Sequence, residues 1–315
     1  MFESVLNLIR THDTIILHRH KNPDGDALGS QIGLKHLIRD NWPEKTVYMV
    51  GDAAGRYAFM ADSVMDAVPD SAYANALAIV LDTSAKALIS DERYMLAKAT
   101  ARIDHHLFVE QIAACEVTDS SYESCCGLVT ALAIEGGLTV SPEAAAALYT
   151  GMVTDSGRFR YDATTARTFR LAAFLMERPI DTNALYRNLY AMELSQVKLR
   201  AHFVEKMRQT EHGVAWIYTD REEMLALGDD TFSISRGMVG VMGDIQGVNI
   251  WVNFTEAQEG VLCELRSDAA NINPVAVKYG GGGHQKASGA TVADRETAMR
   301  MLDDLDRLAE EIRHE

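Results

Sequence analysis

Cysteine is scarce and unpatterned in this sequence: Cys115, Cys125, Cys126 and Cys263 form no C-x-x-C pair and no regular spacing, which argues against a zinc knuckle and against a disulfide framework. No run of 18 apolar residues occurs, so no membrane span is expected. The first residues, MFESVLNLIRTHDT, carry no basic leader ahead of an apolar core, and no signal peptide is expected either. These absences point to a reducing cytoplasm. Positive charge is short as well: 30 Lys and Arg face 45 Asp and Glu, a formal net charge of −15. A surface of that sign does not track long or duplex nucleic acid by neutralising phosphates. It stays compatible with a small phosphorylated ligand, because a pocket of metal ions and a few arginines reverses the local field. No Gly-Lys-Ser/Thr follows a glycine run, so a Walker A phosphate loop is missing too.

What is present suffices for two cores: 315 residues, 47% of them hydrophobic. Short apolar runs, TIILH (14–18), TVYMV (46–50) and LAIVLDT (77–83), alternate with helical stretches, one starting near Ala27. That alternation predicts an α/β fold, a mostly parallel sheet flanked by helices, over 1–192. Residues 193–212 are polar with Val197, Phe203, Val204 and Met207 as apolar points, and read as a connecting helix. Over 213–315, VAWIYT, VNIWVNF and GVLCELRS predict strands of a smaller α/β domain closed by an amphipathic helix. The three-residue glycine spacing of GMVGVMG (237–243) suggests close helix packing.

Metal-ligand residue types gather where these runs end. HKNPDGDA brings His20, Asp24 and Asp26 around a bend set by Pro23 and Gly25; an ordinary turn with Asp26 as helix cap is the bland alternative. Asp82 closes LAIVL, Asp104, His105 and His106 follow ARI, and Asp155 follows the helical AAAALYTGMV. Each alone suits a helix end or turn, but four such segments together outweigh that reading, since ligands of open α/β sheets bind at the carboxyl ends of strands. Carboxylate and imidazole without thiolate suit manganese or magnesium better than structural zinc, and the carboxylates are too many for one ion. Two ions sharing a carboxylate would acidify a water and clamp an in-line displacement at phosphorus. His18 lies two residues before His20 and is not counted with the ligands; Cys125 and Cys126 read as small buried residues at a helix start.

HKNPDGDALGS, LDTS, DHH and TDSGRF, in that order, with GGGGHQKASG at 280–289, resemble the motifs of DHH phosphoesterases and their DHH-associated C-terminal domain, along nearly the whole chain. The double cysteine departs from the small or hydroxyl residues usual there. The resemblance implies a catalytic domain (1–192) and a substrate domain (213–315) with the active site in the cleft between them. It implies that His20, Asp24 and Asp82 hold one metal ion and Asp26, Asp82, His105 and Asp155 the other, with Asp82 bridging. His106 would face the scissile phosphate, with Asp104 orienting the histidine pair. Arg266, Ser267, Gly282, Gly283 and His284 would contact substrate, the glycines as a backbone nest for an anion. Two divalent cations are implied, manganese first, with magnesium or cobalt as substitutes.

Length and the lack of sensory, membrane or synthetase segments resemble the stand-alone branch. That branch degrades very short oligoribonucleotides and dephosphorylates adenosine 3',5'-bisphosphate. Short RNA and nucleoside bisphosphate are then the expected partners, to the exclusion of long nucleic acid and membrane, with a homodimer left open. A phosphodiesterase of signalling dinucleotides, linear or cyclic, shares every metal ligand and differs only in the substrate domain. A pyrophosphatase fits less well, because GGGGHQ suits a nucleotide-sized ligand, and a nucleotide sensor without catalysis would be expected to lack a ligand, whereas every motif residue is present.

Overall fold

Five short aliphatic runs build the first sheet of the computed structural model, which describes residues 1–228 and 230–313. The chain divides into two units, Met1–Ala191 and Met192–Glu315. In chain order the first contains α1 (Glu3–Thr11), β1 (Thr14–His18), α2 (Gly25–Asn41), β2 (Thr46–Met49), β3 (Leu77–Leu81), β4 (Ala99–Asp104), β5 (Cys115–Thr118), α3 (Cys125–Glu135), α4 (Pro142–Asp155), α5 (Ala166–Met176) and α6 (Thr182–Tyr190). The strands pair in the order β2-β1-β3-β4-β5, all parallel. Central β3, LAIVL, is buried at every position, as expected of a parallel strand covered on both faces. This is the α/β layer structure the sequence predicts.

Helix α2 starts at Gly25, two residues earlier than expected, because Asp24 rather than Asp26 is its cap: the Asp24 carboxylate accepts from the Asp26 and Ala27 amides at 2.9 Å each. Ser124 caps α3, accepting from Gly127 N at 2.9 Å. Ser141 caps α4, with Pro142 in its first turn. The helices α2, α3 and α4 then close on one another through missing side chains. A Cβ on Gly29 would sit 2.6 Å from the Ala147 carbonyl, and one on Gly151 would sit 2.2 Å from Cys126 Sγ. The start of α2 and the end of α4 are thus held against the same point of α3.

The second unit contains α7 (Leu194–Lys206), β6 (Arg208–Gln209), β7 (Ala215–Thr219), α8 (Arg221–Ala226), α9 (Thr231–Val239), β8 (Ile250–Ala257), β9 (Gly260–Ser267), α10 (Asn273–Lys278), β10 (Gly282–His284), β11 (Ala287–Val292) and α11 (Arg295–Arg313). Its mixed sheet runs β10-β11-β9-β8-β7-β6, with only β7 and β8 parallel. One apolar cluster joins Val252, Phe254 and Leu265 to Met301 and Leu305 of α11. Another joins Ile217 to Ile234, Met238 and Phe203, so α7 packs as part of this unit. GMVGVMG spans the end of α9 and a 3-10 turn, and a Cβ on Gly240 would meet open space; the glycine spacing does not mark a close helix contact. Among the described residues no helix is long and apolar enough to cross a membrane.

The α2–α4 contact generates a test. Gly29→Ala forces a methyl group against backbone that cannot move independently, and is expected to lower unfolding free energy by about 1–3 kcal/mol, read from the urea midpoint. An unchanged midpoint would show that the helices separate easily.

Candidate metal centre

Parallel pairing of β1, β3 and β4 sends their carboxyl ends to one edge, and the polar residues lie there. His20 follows β1, Asp82 follows β3, and Asp104, His105 and His106 end or follow β4. Asp24 and Asp26 come from the start of α2 and Asp155 is the last residue of α4. His20 Nε2 stands 3.4 Å from Asp82 Oδ2 and 3.9 Å from Asp24 Oδ1. His105 Nε2 stands 3.5 Å from Asp82 Oδ1, 3.3 Å from Asp155 Oδ2 and 3.8 Å from Asp26 Oδ2. His20, Asp24 and Asp82 form one group with ligand-type spacing, and Asp26, His105 and Asp155 another. Asp82 touches histidines of both. His106 also approaches it, Nδ1 to Oδ1 3.6 Å, while the same nitrogen lies 2.7 Å from Asp104 Oδ1.

These carboxylates disturb one another. Burial and then repulsion from Asp82 and Asp155 push the Asp26 carboxyl well above its usual range. Burial chiefly lifts Asp155 to about 7. Asp82 goes the other way: burial opposes its ionisation, but the approach of His105 and His20 outweighs that and holds it low. In return His105 rises to about 10 and His20 to about 9, against the burial of both, through their closeness to Asp82. The negative charge of the cluster is therefore relieved by protons, on the imidazoles of His20 and His105 and on the raised carboxyls of Asp26 and Asp155. Asp82 also takes φ 51°, a left-handed backbone that costs a non-glycine residue of order 1–3 kcal/mol and that collects at functional sites. Its Oδ1 is buried without a hydrogen-bond partner.

Several supports for this centre escape sequence reading. The amides of Cys125 and Cys126, at the start of α3, donate to Asp26 Oδ2 and Oδ1 at 2.7 and 2.8 Å; both cysteines are fully buried, as expected, and contribute through their backbone. Arg102, fully buried, donates to the Asp104 carboxylate and to Glu110 O. Its signal in the sequence is the two-residue spacing to Asp104 on one strand, which puts both on the same face. Arg19, also fully buried, donates to the His20 carbonyl at 3.1 Å and to Gln31 Oε1 at 2.9 Å, fixing the chain just before the bend. His18 stays outside the cluster: it lies beside Tyr73 and Tyr94, its Nδ1 3.1 Å from Asp91 O, and burial lowers its pKa to about 4.

In the second unit, Arg266 of β9 and His284 of β10 are each in register with Ala287 of β11, so both point to one face. Arg266 Nη2 is 3.2 Å from Glu264 Oε2, two residues earlier on that face. Ser267 does not join them: it faces the other way, buried, and donates its hydroxyl to Ala270 O at 2.5 Å. Gly282 and Gly283 do not form an open nest but the edge strand β10. Gly283 has φ 135°, and a Cβ there would meet Ala287 O at 2.6 Å.

The DHH family N-terminal domain matches residues 14–152 and the DHHA1 domain residues 226–311. The bifunctional oligoribonuclease and PAP phosphatase NrnA of Bacillus subtilis is 35% identical over 314 residues, covering 99% of each chain. A probable bifunctional oligoribonuclease and PAP phosphatase NrnA of Streptococcus mutans is 36% identical over 308 residues, 96% of this chain and 98% of that one. Among solved structures, an exopolyphosphatase-related protein from Bacteroides fragilis superposes with a TM-score of 0.83 at 26% identity, over 98% of this chain and 95% of that one.

Arg102 offers a direct check on the supports. Arg102→Leu leaves the buried Asp104 carboxylate with His106 as its remaining partner, and breaking a buried pair from one side costs about 3–5 kcal/mol; chemical denaturation should show a loss of that size. A loss below about 1 kcal/mol, the scale of an exposed pair, would mean that Asp104 does not need its partner.

Proposed function

The chain belongs to the DHH phosphoesterase family, with a DHHA1 domain after the DHH domain, and from that premise we propose that it cleaves very short oligoribonucleotides to mononucleotides and removes the 3'-phosphate of adenosine 3',5'-bisphosphate. Near-complete coverage of the two NrnA relatives supports the substrate class. The observation that carries the chemistry is the convergence of two ligand groups on Asp82, whose buried Oδ1 has no hydrogen-bond partner.

The residues fit two divalent cations. Four carboxyl groups within reach of two histidines, their charge relieved by protons on imidazole and carboxyl alike, are a donor set that positive ions would satisfy by displacing those protons. In our reading His20, Asp24 and Asp82 hold one ion, and Asp26, Asp82, His105 and Asp155 the other. Oxygen and imidazole donors without thiolate favour manganese, with magnesium or cobalt as alternatives. Two such ions, when bound, acidify a water and neutralise charge on both sides of an in-line displacement at phosphorus.

The protein's own groups do the rest. His106, its Nδ1 held by Asp104, presents Nε2 to the scissile phosphate as a donor, and Arg102 keeps Asp104 in place. The amides of Cys125 and Cys126 fix the direction of Asp26. Arg266 and His284 grip the part of the substrate away from the reacting phosphorus. Binding energy gained there holds the phosphorus in line, so its loss lowers rate as well as affinity. The net charge of −15 repels long polyanions and selects for short ones.

The experiment is turnover with manganese on a dinucleotide, a long RNA and adenosine 3',5'-bisphosphate, with products resolved. The dinucleotide and bisphosphate should be hydrolysed and the long RNA spared; equal rates on dinucleotide and long RNA would overturn the size selection. Asp82→Ala should abolish turnover and reduce bound manganese below two ions per chain, and near-normal turnover would remove Asp82 from the bridging role. Arg266→Ala should retain its metal content and lose about 10- to 150-fold in kcat/KM, the worth of a charged hydrogen bond.

A further inference from the structure

Two arginines of the first unit meet at the end of α6, at Leu189 and Tyr190, outside the carboxylate cluster. Arg56, in the 3-10 turn Gly55–Tyr57, donates to the carbonyl of Leu189 at 3.0 Å, which ties that turn to the end of α6, and its Cζ lies 5.2 Å from the Tyr57 ring centre. Arg158, three residues after Asp155, lies 4.8 Å over the ring of Tyr190. Both arginines are exposed. Neither is paired with a carboxylate among the described residues, in a chain with 15 more acidic than basic side chains.

The backbone that carries Arg158 is strained. Gly157, Arg158 and Phe159 have φ of 57°, 63° and 63°, a left-handed run that costs each non-glycine residue roughly 1–2 kcal/mol. Phe159 offsets part of this by packing its ring 6.1 Å from Tyr149 and 5.5 Å from Phe169. Arg158 donates its amide to Val153 O at 2.8 Å at the end of α4, and the turn brings its side chain to the surface over Tyr190. Strain kept at a site is a pointer to use.

The two arginines share one neighbourhood, which adjoins the cluster. The Tyr190 hydroxyl feels the charge of both Arg158 and Arg56, as well as Tyr57. The buried Tyr57 in turn feels Asp24 and Asp155, and its hydroxyl meets the Gly25 amide at the start of α2. Arg56 spends one Nη2 donor on Leu189, and a guanidinium over an aromatic ring still has further N–H donors at its edge, the groups that grip a phosphate through parallel hydrogen bonds.

We propose that Arg56 and Arg158 form an anion subsite for a second, uncleaved phosphate monoester of the substrate. The proposal rests on the phosphoesterase reading above and deepens it. With the carboxylate cluster acting on one phosphate, the arginines select substrates that carry another: a nucleoside 3',5'-bisphosphate over a nucleoside 3'-monophosphate, and a 5'-phosphorylated dinucleotide over an unphosphorylated one.

The test compares adenosine 3',5'-bisphosphate with adenosine 3'-monophosphate in the manganese-loaded protein. The parent should prefer the bisphosphate, and Arg56→Gln with Arg158→Gln should shrink the ratio of the two kcat/KM values about 10- to 150-fold. Arg158→Lys, which keeps the charge, should restore part of it. A parent without that preference, or a ratio unmoved in the double variant, overturns the subsite. A second arm is calorimetry of adenosine 3',5'-bisphosphate binding in EDTA: the parent should bind and the double variant should bind at least tenfold more weakly. If the parent hydrolyses neither nucleotide, the functional reading fails, and this binding arm alone decides the subsite; equal binding by parent and double variant overturns it.

Discussion

Mutual repulsion of four carboxylates is the constraint around which the first unit is arranged. Asp24, Asp26, Asp82 and Asp155 arrive from the start of one helix, the end of a strand and the end of another helix, and no apolar packing would bring them together. Each is held by a separate device. Asp24 is fixed by the amides it caps, Asp26 by the two amides opening α3, and Asp82 by three histidines around a left-handed backbone. Asp155 is carried in by α4, whose glycine at 151 lets it lie against Cys126 and Asp26. Helix packing and charge placement are one problem here: the close approach that Gly29 and Gly151 allow is what lets α3 aim its amides at Asp26.

The sequence disclosed the members of this cluster better than the scaffold around them. His20, Asp24, Asp26, Asp82, His105 and Asp155 were legible because polar residues at the ends of apolar runs have few structural uses, and the motif order agreed. Arg102 was hidden because a basic residue inside a strand ordinarily reads as an edge or solvent position, and its partners at Asp104, Glu110 and Glu116 are what allow its burial. Nothing in the letters of LDTS announces that Asp82 adopts φ 51°, since left-handed backbone at a non-glycine residue is imposed by tertiary context. The bland alternative for HKNPDGDA put the cap of α2 at Asp26, whereas Asp24 takes it, because two candidates two positions apart satisfy the same local rule.

In the second unit the strands were read closely, but their faces were not. Arg266 and Ser267 were grouped as neighbours in LRS, although adjacent residues of a strand point to opposite sides; period-two reasoning would have separated them. The resemblance implied that Gly282 and Gly283 of the glycine tetrad form an anion nest. The tetrad leads into an edge strand, and Gly281 and Gly283 are required because β11 lies too close for a Cβ, at 2.0 Å and 2.6 Å, whereas one on Gly282 would meet open space.

That register makes a gauge. Arg266, Ala287 and His284 lie in one row across three strands, and neighbouring strands are spaced about 4.8 Å apart, so the two polar residues are rooted roughly 10 Å from each other. Ladder hydrogen bonds between main chains fix this span. Rotamer changes and surface substitutions nearby leave it unaltered, and only a slip of the hairpin, which would turn His284 to the opposite face, resets it. The sheet thus behaves as a caliper with a welded jaw: it measures one length, and evolution would have to rebuild the hairpin to measure another.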